Sequence, residues 1–138
     1  MKKKWILILI LLISMAGYFA WQAYHKPLAT LHSVNPDIEI TAEQLFADYA
    51  AGEDAANQKY LGKIIKVTGH VLDINSNDSG YSTVYLDTGD MMGSISCQLE
   101  KGEEKKAETL ITGQELSLKG KCTGFAMDVV LTQCIINP

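Results

Sequence analysis

The sequence predicts an all-β domain: five strands closed into a small β-barrel, with one helix ahead of the first strand and a short helix between the third and fourth. Three observations carry that expectation. From Lys63 onward, apolar residues recur at every second position in five separate runs. Clusters of Gly, Asn, Asp and Ser separate several of those runs, as turns require. Past the N-terminal segment, helical spacing is confined to Thr41–Tyr60 and a charged stretch near Glu100–Glu108.

Taken in chain order, the first element is apolar. Lys2, Lys3 and Lys4 precede Trp5–Ala23, nineteen residues without a charge. As a helix this segment is about 28 Å long, close to the roughly 30 Å core of a bilayer. Trp5 at one end and Tyr18, Trp21 and Tyr24 at the other suit headgroup-level aromatic belts, and the lysine triplet sets the N-terminus on the cytoplasmic side. A cleaved signal has a shorter apolar part and small residues before its cleavage site, whereas bulky aromatics interrupt Gly17–Ala23. The expectation is therefore a cytoplasmic basic end at 1–4 and an uncleaved, single-pass transmembrane anchor at 5–24. Pro27 and Pro36 mark a linker over 25–40, and one domain of about 100 residues fills 41–138.

Thr41-Ala42-Glu43-Gln44 reads as a capping box, the threonine oxygen taking an orphan N–H and Gln44 reaching back. Leu45, Phe46 and Tyr49 then share one helix face, Gly52 ends the helix, and Ala55–Tyr60 forms a second short turn. In the first strand Ile65, Val67, Gly69 and Val71 alternate with Lys66, Thr68 and His70. The turn cluster Asn75–Gly80 leads to a second strand over Ser82–Asp87, and a third follows over Ser94–Leu99 with Ile95, Cys97 and Leu99 on one face. The charged stretch precedes a fourth strand, Gln114–Cys122, and the β-branched run Met127–Ile136 is the fifth, after a hairpin turn containing Gly124. Five strands with a helix between the third and fourth is the order of an OB-fold, a Greek-key barrel.

Charge narrows the function classes. After Pro27 there are eight lysines against sixteen acidic residues, a net charge of −8, and the chain has no arginine. Nucleic-acid binders neutralise phosphates with a basic surface, and arginine is the side chain best shaped for bidentate phosphate and guanine contacts. Both facts argue against nucleic acid as a partner.

Leu45, Tyr49, Ala55-Ala56-Asn57-Gln58-Lys59-Tyr60, Gly62-Lys63 and Val67-Thr68-Gly69, followed by Ser96-Cys97, Gly120-Lys121-Cys122, Gly124, Asp128-Val129-Val130-Leu131 and Cys134, form a pattern that resembles the tRNA-anti-like family of OB-fold proteins. The resemblance runs from about Thr41 to the C-terminus. It implies a small bacterial protein, exported or membrane-anchored; with the lysine triplet inside, the domain is expected in the periplasm beside the inner membrane. What it lends is a fold more than a function.

Ligands of OB-folds lie against the second and third strands and the adjoining loops. Tyr81, Thr83 and Tyr85 alternate outward on the second strand, with Met91 and Met92 in the next loop, and are the expected ligand-binding residues. Lys66 and His70, on the solvent side of the first strand, join them. The partner expected is a protein, peptide or glycan, and the role is binding without catalysis. A thiol enzyme would need His70 beside Cys97.

Cys97, Cys122 and Cys134 lack any Cys-x-x-Cys spacing, so neither a metal nor a cofactor is expected. In an oxidising compartment one disulfide is expected at Cys134, with Cys122 or Cys97 as its partner.

Overall fold

The computed structural model describes residues 1–24 and 31–137. Contacts divide the chain into two units, Met1–Thr30 and Leu31–Pro138. In the first unit the described part is one helix, α1 (Lys2–Tyr24), with every residue exposed, and it is long and apolar enough to cross a bilayer. Residues 25–30 of the expected linker, and Pro138, lie outside the described residues.

The second unit runs β1 (Ile38–Thr41), α2 (Ala42–Ala51), α3 (Glu53–Tyr60), β2 (Ile64–Ser76), β3 (Ser82–Leu86), β4 (Ile95–Leu99), α4 (Glu104–Ala107), β5 (Glu115–Phe125) and β6 (Val129–Asn137). Antiparallel pairs β2–β3, β3–β4, β5–β6 and β2–β5, with the parallel pair β4–β6, close the predicted five-stranded Greek-key barrel. Helices precede its first strand and separate its third and fourth, as the sequence predicts. The alternation places Ile65, Val67, Val71, Val84, Leu86, Ile95, Cys97, Leu99, Leu118 and Leu131 in one buried core.

Two irregularities shape this barrel. In β2, Val71 pairs with Leu86 but Asp73 with Tyr85, so Leu72 is an extra residue and stays exposed. That bulge lets one thirteen-residue strand pair with β5 along its first half and β3 along its second. In β6 strict alternation from Val129 and Leu131 would turn Gln133 inward and Cys134 outward. Instead Gln133 takes the left-handed conformation (φ 54°), the register against β5 shifts between Lys119 and Lys121, and Cys134 is fully buried. Its thiol occupies the space a side chain at Gly120 would need.

Part of the segment expected as linker is a sixth strand at the edge of the sheet. Ile38–Thr41 pairs in parallel with Ile65–Thr68, and Ile38 and Ile40 pack on the core. Ahead of it a 3-10 turn at Leu31–Ser33 contacts β6, and the chain then crosses the outside of the barrel as a strap. Lys119 Nζ donates to the Val34 carbonyl at 2.6 Å, and Asp37 exchanges hydrogen bonds with Ile64. The buried Glu103 carboxylate accepts from the Ile136 amide at 3.0 Å and lies 3.3 Å from His32 Nε2 and 3.1 Å from Lys106 Nζ. The compact unit therefore begins at Leu31 rather than at Thr41.

The helix α2 covers one end of the barrel. Thr41 Oγ1 accepts from the Gln44 amide at 3.2 Å, the expected cap, but the Gln44 side chain donates forward to Asp48 at 2.8 Å instead of reaching back. Leu45, Phe46 and Tyr49 are buried as the spacing predicts. Backbone must come close for this: a Cβ at Gly69 would sit 2.8 Å from that of Ala42, and one at Gly93 would run into the Phe46 ring. Tyr49 stacks on Phe125 at 5.6 Å between ring centres, and its hydroxyl meets Cys122 Sγ at 3.3 Å. Tyr60 donates to Asp48, and that bond holds the Asp48 carboxyl below its ordinary range.

Candidate functional site

Tyr81, Thr83 and Tyr85 do share one outward stripe, because Ser82, Val84 and Leu86 between them are buried. The neighbouring strands extend that stripe into a face. Thr83 lies opposite Gln98 of β4 and Asn75 of β2, and Tyr85 opposite Ser96 and Asp73. The face is thus aromatic at its centre and polar or acidic at both sides.

Local sequence fixes its edges. In the β2–β3 loop the Asn77 side chain accepts from the amides of Ser79 (3.2 Å) and Tyr81 (3.0 Å), and Gly80 takes a left-handed φ of 80°. This Asx turn sets where Tyr81 begins. In the β3–β4 loop Asp87 accepts from the Gly89 amide, Asp90 accepts from the Met92 amide, and Thr88 donates to the Gly93 carbonyl at 2.6 Å. Met91 and Met92 project fully from this ordered loop. A shallow cleft of about 360 Å³ runs along it, lined by Leu72, Asp87, Gly89, Asp90 and Met91. Asp128, from the β5–β6 turn, accepts from both the amide and hydroxyl of Ser94, at 2.7 and 2.9 Å, and ties the two hairpins together.

Lys66 and His70 do not join the tyrosine stripe. Lys66 is flanked by Glu39 of β1 and Lys119 of β5. His70 faces Glu115, with 4.0 Å between His70 Nε2 and Glu115 Oε2, in a separate cleft of about 260 Å³ that also includes Thr41, Glu43, Thr68 and Asp87. The bulge at Leu72 separates these residues from Asp73 and Asn75, which do belong to the face.

Sequence spacing passed over two other members. Extending the β4 phase from Ser96 and Gln98 by one step reaches Glu100, just past the end of that strand at Leu99. One Glu100 carboxylate oxygen is buried without a hydrogen-bond partner. Asp73 was hidden by the bulge, which changes which side of β2 its neighbours occupy.

All three cysteines are free, buried thiols where the sequence predicts a bridge at Cys134. Cys122 opposes Leu131 and is engaged by Tyr49, so of the two candidate partners Cys97 is the one beside Cys134. Burial pushes the Cys134 thiol well above its ordinary pKa. Cys97 faces the core while His70 faces out, so the pair a thiol enzyme would need is not assembled. Among the described residues no cluster of three or more His, Cys, Asp or Glu is placed to hold a metal.

Comparison with other proteins agrees with this architecture. The family model tRNA_anti-like matches residues 1–136. Among solved structures, a lipoprotein from Klebsiella pneumoniae, provisionally described as nucleic acid-binding, is 19% identical, with a TM-score of 0.60 over 73% of this chain and 92% of that one. A protein from Leishmania major, provisionally described as an aspartyl-tRNA synthetase, is 10% identical with a TM-score of 0.50; the similarity covers 80% of this chain but 22% of that one. No functionally curated protein matches the chain.

Proposed function

Because the chain belongs to the tRNA_anti-like family of OB-fold proteins, we propose that it is a non-catalytic binding module, held to a bacterial inner membrane by α1 and engaging a protein, peptide or glycan through the Tyr81–Thr83–Tyr85 face. The observation that carries this reading is the stripe itself. Two tyrosines stand out from a strand whose intervening residues are sealed in the core, between neighbours that are all polar. Aromatic faces with polar borders supply contact area at low cost in side-chain entropy.

The anchor and its orientation rest on length, apolarity and the lysine triplet. With α1 spanning and Lys2–Lys4 inside, the barrel faces the periplasm. In that oxidising space the adjacent thiols of Cys97 and Cys134 are the pair we expect to bridge. A reporter active only in the cytoplasm, fused after Pro138, should be silent; a signal from it would overturn the topology.

A photo-crosslinker placed at position 83 should give discrete adducts in cells, and these should disappear when Tyr81 and Tyr85 are both replaced by alanine. Adducts that survive the double substitution would remove the face from the reading. The second reading is nucleic-acid binding, favoured by the description of the Klebsiella lipoprotein, whose fold this chain shares. It predicts salt-dependent binding to single strands.

A further inference from the structure

We propose that the tyrosine face recognises a cationic protein segment, one bearing exposed lysines or arginines, in preference to a polyanion. The inference rests on the binding reading above and names the chemistry of its ligand. Between His70 and Lys101 the chain carries Asp73, Asp78, Asp87, Asp90 and Glu100, and no lysine, arginine or histidine. These residues build the second half of β2, all of β3 and β4, and the two loops joining them. A strand of nucleic acid laid across this face would meet carboxylates where its phosphates need cations.

The carboxylates are also available. Asp73, Asp87 and Asp90 each accept one hydrogen bond from a nearby backbone amide through one oxygen, Oδ1. Among the described residues none of the five is in an ion pair.

The exposed side chain of Tyr81 points the same way independently of the charge count. An ammonium or guanidinium group laid over the exposed ring of Tyr81 would have the arrangement of a cation–π contact, with the carboxylates of the face around it. Leu72, Met91 and Met92, exposed next to the acidic loop, offer apolar surface to the aliphatic stems of such side chains.

The test uses the full chain in nanodiscs of zwitterionic lipid, with empty nanodiscs as background. Three fluorescein-labelled probes are compared by anisotropy: an alternating lysine–glycine peptide, a glutamate–glycine peptide of equal length, and single-stranded oligothymidine. The lysine peptide alone should bind, more weakly as salt rises. Its affinity should fall about tenfold in D73N/D87N/E100Q, and about tenfold in Y81A/Y85A, with far-ultraviolet circular dichroism unchanged in both. The mild Asn and Gln substitutions keep side-chain shape, so the charge variant remains informative if the alanine variant unfolds. Absence of lysine-peptide binding, or binding indifferent to D73N/D87N/E100Q, overturns the inference. Oligothymidine binding that Y81A/Y85A abolishes would overturn the inference while retaining the face. Lysine-peptide binding untouched by a folded Y81A/Y85A would instead remove the face.

Discussion

Replacing Gly120 by alanine tests the packing that brings Cys134 inside. Position 120 does not need a left-handed backbone, so glycine is not there for its φ. Taken alone, the substitution should stabilise by about 0.4–1 kcal/mol, because alanine has less conformational freedom to lose on folding. The added methyl, however, meets Cys134 Sγ inside van der Waals contact, with Leu131 Cβ and the Thr132 carbonyl both 3.3 Å away. Overpacking of a closed core costs about 1–3 kcal/mol. The second effect is the larger, and the net loss should be about 1–2 kcal/mol. For a domain of this size that corresponds to a fall in Tm of about 5–10 °C. Removing the obstruction should reverse the sign: in a Cys134→Ala background, Gly120→Ala should be neutral or stabilising, a coupling of at least about 1 kcal/mol. Both tryptophans, Trp5 and Trp21, lie in α1, so thermal melts of the reduced protein are best followed by the tyrosine signal in near-ultraviolet circular dichroism. A neutral Gly120→Ala with Cys134 present, or strict additivity in the double variant, would refute the reasoning.

Four further outcomes follow from the geometry. Thr41→Ala removes the cap on α2 and should lower stability by about 1 kcal/mol, read from denaturant midpoints at unchanged m-value. Glu103→Ala takes away the acceptor of the Ile136 amide and the partner of His32 and Lys106, so amide exchange at Ile136 and Asp37 should quicken while α2 stays protected. The Asp48 carboxyl is held below its ordinary 3.8, chiefly by the Tyr60 hydroxyl, so its contribution is full above that value and is lost as pH falls through the folded one. Asp48→Asn should therefore flatten the stability profile slightly below about pH 4, and an unchanged acid limb would count against that bond. Burial, followed by the bond to Cys122, raises the Tyr49 hydroxyl far above its ordinary value, so stability should decline as pH climbs beyond about 10; Tyr49→Phe should remove part of that decline in an alkaline titration followed by circular dichroism.

The barrel was legible because its strands obey period two where one face is sealed. Val84 and Leu86, Ile95 and Cys97, Leu116 and Leu118 are all buried as their alternation requires. The stripe of Tyr81, Thr83 and Tyr85 came from the same rule. What alternation conceals is any place where the period breaks. The extra residue at Leu72 detaches Lys66 and His70 from the tyrosine face, and the left-handed Gln133 turns Cys134 toward Cys97 and Gly120. A bulge is a relation between two strands, so one strand's pattern cannot announce it. β1 was hidden for another reason: four residues preceded by Pro36 do not stand out as a strand until β2 is there to pair with them.

That short strand also decides where the domain can be cut. A fragment beginning at the capping threonine would retain every strand of the barrel proper and would seem complete. It would nonetheless strip Ile65–Thr68 of the partner along one edge and leave Lys119 without the Val34 carbonyl. A bare strand edge is a template for pairing with other chains, so such a fragment should precipitate or form soluble aggregates. One starting at Leu31 keeps the edge covered from within the same polypeptide, and is the piece with which crystallisation and binding work should begin.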